Sequence, residues 1–217
     1  MKKTLLLPLL IIFFPNNLLS DDAVSEDVEI EVVEIIGSQE EALEIAGAAT
    51  VINSDDLEVY EYTDIHKILS NVPGVNFRPE EGYGLRPNLS IRGTYADRSG
   101  KITLMEDGVL IAPAPYAASS AYYFPTAGRL AGVEVLKGPS AITQGPYTIG
   151  GAINLLSTPI PDKTGGLFNQ EFGEDQTRRT HFHYGVIQDK VAFLIESHIW
   201  ETDGFDAIKN SQESTGF

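Results

Sequence analysis

Three kinds of feature in this sequence have residue types and spacings that could do chemistry. The first is a histidine pair. His181 and His183 stand two apart in a segment of alternating residues, so both fall on one strand face. Two imidazoles could begin a metal site, but such a site needs three or four ligands. No third ligand stands at recognisable spacing, so the pair is read as polar residues of that face and no metal is expected. The second is glycine pairing. Gly82-x-Gly84 and Gly150-Gly151 lack the spacing and the following helix of a phosphate-cradling loop. No nucleophile stands beside a base at a catalytic spacing, so the sequence gives no ground for enzyme activity and no cofactor is expected. The third is a run of branched residues closed by a glycine, Glu31-Val32-Val33-Glu34-Ile35-Ile36-Gly37. An extended run of this kind can add itself as a strand to the edge of a partner's sheet. It could equally be an edge strand of this protein's own domain, and position alone does not decide.

Composition restricts what these features can serve. The 217 residues leave room for one medium domain with extensions. With 42% hydrophobic and 21% charged residues, a packed core is within reach. The net charge is −16, and loss of Lys2 and Lys3 with a leader takes it to −18. So acidic a chain lacks the basic footprint that nucleic acid requires, and no nucleic-acid partner is expected. It also lacks the basic segments that adsorb to anionic lipid. There are no cysteines, hence no disulfide framework and no thiolate metal site.

The elements that must position these residues come in four stretches. Residues 1–20 read as a signal peptide: Lys2 and Lys3, an apolar run from Leu5 to Phe14, and a small residue at Ser20 before Asp21. The run is too short for a membrane-spanning helix, and no later stretch suits one, so any span must be a β-barrel. Residues 21–48 form an acidic periplasmic extension that contains the branched run. Residues 49–161 alternate short elements. Strands are expected at Thr50 to Ile52, Val75 to Phe77, Leu89 to Arg92, Ile102 to Met105, Val109 to Ile111, Val133 to Leu136 and Ala152 to Leu156. Ser54 is expected to cap one turn of helix, and Thr63 a second helix whose face is Ile65, Ile68, Leu69 and Val72. Pro73-Gly74 should stop that helix, and Asp107-Gly108 should make a tight hairpin turn. The long Gly-, Pro- and Tyr-rich connections, Arg78 to Asn88 and Ala112 to Gly128, are of the kind that carries function.

From residue 162 to 217 the period becomes two. Phe168, Phe172, Phe182, Tyr184, Val186, Val191, Phe193, Ile195 and Ile199 are expected on one face, with Gln170, His181, His183, Glu196 and His198 on the other. Membrane barrel strands alternate in this way between lipid and lumen. A soluble meander with its apolar side on a core would alternate likewise, and either needs more chain than these three strands supply.

Several segments, in order, resemble the plug domain of TonB-dependent outer-membrane receptors. They are Ile68-Leu69-Ser70-Asn71-Val72-Pro73-Gly74-Val75, Leu89-Ser90-Ile91-Arg92-Gly93 and Leu104-Met105-Glu106-Asp107-Gly108-Val109. Most diagnostic is Val133-Glu134-Val135-Leu136-Lys137-Gly138-Pro139-Ser140, followed by Gly145-Pro146 and Gly150-Gly151-Ala152-Ile153-Asn154. The loops Gly82 to Asn88 and Ala112 to Tyr116 are most similar to the ferric dicitrate branch. The resemblance implies an α+β plug, a small mixed four-stranded sheet with short helices and long loops, followed by the first strands of an antiparallel transmembrane β-barrel. A ~22-stranded barrel needs far more chain, so the sequence reads as the N-terminal part of a longer protein. No small signalling domain precedes the plug, so transcriptional signalling is not expected.

The resemblance also assigns residues. The TonB-binding segment would be Val32, Val33, Glu34, Ile35 and Ile36. A plug–barrel latch would use Arg92 and Lys137 against carboxylates of the barrel wall, with Glu134 in the same polar network. Ligand contacts would lie on outward loops, at Arg78, Arg86, Tyr95, Arg98, Lys101 and Tyr116, since guanidinium forks suit the carboxylates of an anionic chelate. The implied function is TonB-dependent import of a ferric chelate such as ferric citrate across the outer membrane, energised through TonB with ExbB/ExbD. The barrel would contact outer-membrane lipid, and the N-terminus would be periplasmic. Siderophore, haem or cobalamin as cargo, or a plug that only binds TonB, are the alternatives.

Overall fold

A computed structural model describes residues 34–60, 64–80, 84–112, 123–188 and 191–204. Val32, Val33, Thr63 and Tyr116 lie outside these described residues. The first helix, α1 (Gln39–Glu44), starts with a complete capping box: Ser38 accepts from the Glu41 amide while the Glu41 carboxylate accepts from the Ser38 amide. It leads into β1 (Ala48–Ile52) and α2 (Ser54–Tyr60). Asn53, not Ser54, caps α2. Its side chain accepts from the Asp56 amide at 2.9 Å, and the Asp56 carboxylate returns the bond to the Asn53 amide. At α3 (Ile65–Leu69) the cap is Asp64, which accepts from the His66 amide. The expected apolar face holds: Ile65, Ile68, Leu69 and Val72 are all buried.

Residues 48–157 are built on a five-stranded sheet, one strand more than expected. Besides β1 it contains β4 (Ile102–Glu106), β5 (Val109–Ala112), β6 (Leu130–Lys137) and β7 (Gly151–Ser157), in the order β1-β6-β7-β4-β5. Only β4 and β7 run parallel. The additional pairing is β1 on the outer edge of β6, which covers what would otherwise be an open strand edge. A separate two-stranded ribbon joins β2 (Val75–Phe77) to β3 (Leu89–Ile91). The β4–β5 hairpin turns on Asp107 and Gly108, both with positive φ (48° and 73°), the conformation of a two-residue primed turn.

Because side chains alternate along a strand, the sheet has two different faces. Val133, Val135, Ile153, Leu155, Ile102 and Leu104 pack with α3, β2 and β3 in the larger core. Leu136, Ala152 and Met105 face the other way and are covered by Ile36 and Ala42 from the N-terminal segment and α1. The second face therefore depends on the very segment that leads out of the domain.

The last three strands, β8 (Gly165–Phe172), β9 (Arg178–Gln188) and β10 (Val191–Glu201), form their own antiparallel sheet in the order β10-β9-β8. Phe168, Phe172, Phe182, Tyr184, Phe193, Ile195 and Ile199 are exposed on its outer side. Gln170, expected among the inward polar residues, shares the parity of Phe168 and Phe172 and lies on the aromatic side. There it accepts a hydrogen bond from Thr180 of the facing strand at 3.0 Å. The inner side touches the five-stranded domain: Thr158 donates to Glu196 at 2.6 Å, and the same carboxylate oxygen lies 2.8 Å from His181 Nε2. The rings of His183 and His198 lie 5.6 and 5.7 Å from that of His181. Among the described residues no helix is long and apolar enough to cross a membrane.

Candidate functional site

The most constrained polar group in the five-stranded domain is the Glu134 carboxylate. It sits in the middle of β6 between Val133 and Val135, and all three are fully buried. A charge so placed requires compensation in full. It comes from three successive backbone amides of the N-terminal segment. Glu134 Oε1 accepts from Ile36 at 2.7 Å and from Gly37 at 3.0 Å, and both oxygens receive the Ile35 amide, at 2.9 and 3.1 Å. Three successive N–H groups turned to one side form an anion-binding concavity. Gly37 closes it with φ +82°, where a β-carbon would also strike the Glu41 carboxylate.

Asn154 extends this arrangement. Fully buried on neighbouring β7, it donates from Nδ2 to Glu134 Oε2 at 2.7 Å and accepts the Gly108 amide through Oδ1 at 2.9 Å. The hairpin turn is held by its own bonds as well. Asp107 accepts from the Ser157 amide at 2.9 Å and from its hydroxyl at 2.6 Å. Residues from four separated segments of the sequence thus form one connected chain of hydrogen bonds, from the β4–β5 turn to residues 35–37. Around that end the carboxylates crowd: burial first, then Glu134 and Glu41, push the Glu34 carboxyl above its ordinary range.

Glu134 is not in one network with Arg92 and Lys137, as had been expected. Lys137 is three residues on and projects from the opposite face of β6, where its ammonium donates to Thr50 Oγ1 at 3.0 Å and to the Pro73 carbonyl at 3.2 Å. Arg92 comes near it from the end of β3, in a left-handed conformation with φ 55°. Burial and the Arg92 charge together lower the Lys137 pKa. Among the described residues Lys137 has no carboxylate partner, so the two cations form a pair of like charges.

The loop candidates divide differently. Asn88 and Ser99, both fully buried, tie loop 84–88 to the turn Asp97–Ser99: Asn88 Oδ1 accepts the Arg98 amide at 2.7 Å, and the Ser99 hydroxyl bridges Leu89 N and Pro87 O at 3.0 Å each. This brings Arg78 and Arg98 onto adjoining loops, but each already has a carboxylate, Asp97 at 3.4 Å and Glu80 at 3.2 Å. Tyr95 is 67% exposed at the same loop edge. Arg86 and Lys101 are exposed. An anion binding here would compete with Asp97 and Glu80. The sequence reading missed those two acids, although both lie within the same loops.

Of the residues expected to meet TonB, Ile35 and Ile36 are not an extended strand. Ile36 is 5% exposed and packs beneath the sheet, while Glu34 stays exposed. The sequence reading also missed that Glu134 is the partner of this segment. A signal for it existed: an ionisable residue flanked by two strand valines needs a counterpart somewhere in the chain.

The TonB-dependent receptor plug domain family model matches residues 41–152. A vitamin B12 transporter of Vibrio vulnificus (strain CMCP6), BtuB, is 28% identical over 181 residues, covering 80% of this chain and 28% of that protein. Among solved structures, the unliganded ferric citrate transporter FecA superposes with a TM-score of 0.61 at 24% identity, over 76% of this chain and 27% of FecA. The siderophore receptor PirA from Acinetobacter baumannii matches with a TM-score of 0.55 at 21% identity, over 80% and 27%. The chain spans just over a quarter of the length of these relatives.

Proposed function

Because the chain belongs to the TonB-dependent receptor plug domain family, we propose that it serves TonB-dependent import of an anionic ferric chelate, such as ferric citrate, across the outer membrane. The observation that carries this reading is the pairing of two surfaces. A folded plug meets the polar inner side of a three-stranded sheet through Thr158, Glu196 and His181, while that sheet turns Phe168, Phe182, Phe193 and Ile195 outwards. Strands that are apolar outside and polar inside, closed around a plug, suit a bilayer on one side and a filled lumen on the other. In this reading the outer side meets lipid and the N-terminal segment faces the periplasm.

The segment around Val32 to Ile36 takes force from TonB, which ExbB/ExbD energises. The exposed Arg92 and the largely buried Lys137 beside it latch the plug to carboxylates of the barrel wall. Among outward loop residues, Arg78 and Arg98 give the chelate's carboxylates two guanidinium forks, with Tyr95, Arg86, Lys101 and Tyr116 around them. Both arginines hold acids now, so the chelate exchanges one carboxylate partner for another rather than filling an empty cation site.

Cobalamin is the second reading, supported by the likeness to a vitamin B12 transporter. Binding of ferric citrate, cobalamin and a neutral siderophore to the intact protein separates them. Preference for ferric citrate, weakened in Arg98→Ala, supports the first reading, and tight cobalamin binding with none of ferric citrate overturns it.

A further inference from the structure

We propose that Glu134 is a positioning residue for energy coupling: its carboxylate parks the coupling segment on the plug and sets how readily that segment leaves to meet a partner. The inference rests on the proposed coupling role of residues 32–36 and deepens it.

The argument is geometric. A segment that adds to a sheet edge must be extended, with successive N–H groups pointing to alternate sides. Here the N–H groups of Ile35, Ile36 and Gly37 all converge on one carboxylate, with Gly37 in a left-handed turn. One backbone cannot satisfy both patterns, so over these residues the parked and the partner-bound forms exclude each other. Parking is also coupled to burial. Ile36 covers Met105, Leu136 and Ala152, so leaving uncovers an apolar face and a buried carboxylate together. A binding segment that is free for only a fraction of the time shows an affinity reduced by that fraction. Glu134 therefore sets that fraction. Asn154, which holds Glu134 from behind and reaches the β4–β5 turn, links it to the far end of the sheet.

Two variants act on the clasp from opposite sides. Glu134→Gln keeps the size of the side chain but replaces one acceptor with a donor facing N–H groups. Gly37→Ala leaves Glu134 intact and strains the turn, because φ +82° disfavours any residue with a β-carbon, while the Glu41 carboxylate tip it meets can swing aside. The sequence has no cysteine, so a spin label at Val33→Cys reports on the segment alone.

The intact protein is compared with both variants by label mobility, affinity for the periplasmic domain of TonB, and affinity for ferric citrate. The expected result is a mobile label and TonB binding about tenfold tighter in both variants, with cargo affinity unchanged. A merely structural role for Glu134 would lower cargo affinity along with mobilising the label, and that result overturns the proposal. So does an unchanged label and unchanged TonB affinity. Should Glu134→Gln fail to reach the membrane, Gly37→Ala decides alone. If no form binds TonB, the coupling reading fails instead, and the clasp stands or falls on the mobility of the label.

Discussion

Replacing Asn154 by alanine should loosen the N-terminal segment from a distance, without altering any residue of that segment. The change removes two bonds. The Nδ2–H bond at 2.7 Å goes to an ionised acceptor and is worth about 1.5–3 kcal/mol. Loss of Oδ1 frees the Gly108 amide, which lies in an exposed turn and can bond water instead. Asn154 and Glu134 stay neighbours in the sheet whether or not residues 35–37 are docked, so their bond acts on the segment only by aiming the carboxylate at its three amides. A carboxylate left free to turn should lose the equivalent of one charge-assisted bond to those amides, about 2 kcal/mol, or about thirtyfold at 1.4 kcal/mol per decade. Amide hydrogen exchange reads this directly, since local opening sets the rate. The amides of Ile35, Ile36 and Gly37 should exchange about thirtyfold faster. Those of Val133 and Val135, paired within the sheet, should keep their protection. Exchange at residues 35–37 that matches the parent protein would refute the chain of bonds from the β4–β5 turn to Glu134. Equal acceleration throughout the sheet would show that Asn154 supports the domain as a whole.

Other predictions follow from the same structure. The Glu34 pKa is raised in the folded state, so its docked form holds a proton more tightly than the free form. The resulting stabilisation is full below about pH 4.5 and is lost as pH rises through the folded value. Acid should accordingly quiet a label at residue 33, and Glu34→Gln should remove that part of the pH dependence while docking the segment more firmly at neutral pH. Gly151→Ala should prevent plug folding, since a β-carbon there runs into the Leu136 carbonyl of β6 at φ +149°. The cost is about 3 kcal/mol or more, read as loss of protease resistance, and a variant as resistant as the parent would refute it. Arg98→Ala should leave stability within about 1 kcal/mol, because its bond to Glu80 is a surface pair. Its effect should appear instead in ferric citrate affinity.

Much of the fold was legible because it depends on local rules. The period of two from Phe168 to Ile199, the Asp107-Gly108 turn and the apolar face of α3 each follow from residue type and spacing. What was missed depends on partners far along the chain. The β1–β6 pairing, which makes the fifth strand, joins residues more than eighty positions apart, and nothing in Ala48–Ile52 specifies which edge it takes. The observed caps fall one residue from the expected ones: Asn53 accepts the Asp56 amide and Asp64 the His66 amide. Gln170 was put on the wrong face although simple parity with Phe168 sets it.

The run from Glu31 to Gly37 shows the limit most clearly. Its residue types favour a strand, yet Ile35 to Gly37 turn their amides inward to a carboxylate 97 to 99 positions away. A tertiary contact has overridden propensity at the place where the proposed function requires a change of conformation. The candidate ligand arginines were legible as cations. Their partners Asp97 and Glu80 were not, since ion pairing across loops follows from the Asn88 and Ser99 tethers rather than from spacing.

The most direct test of TonB-dependent import is uptake of radiolabelled ferric citrate by cells carrying the intact protein or its Val33→Pro variant, with and without TonB. Val33 is the cleaner site. Proline at Ile35 would also remove an amide that Glu134 holds, so coupling and clasp would fail together. The account predicts uptake by the parent only when TonB is present, and none by Val33→Pro, with ferric citrate binding equal in both. Uptake that persists without TonB, or that Val33→Pro leaves undiminished, would contradict it.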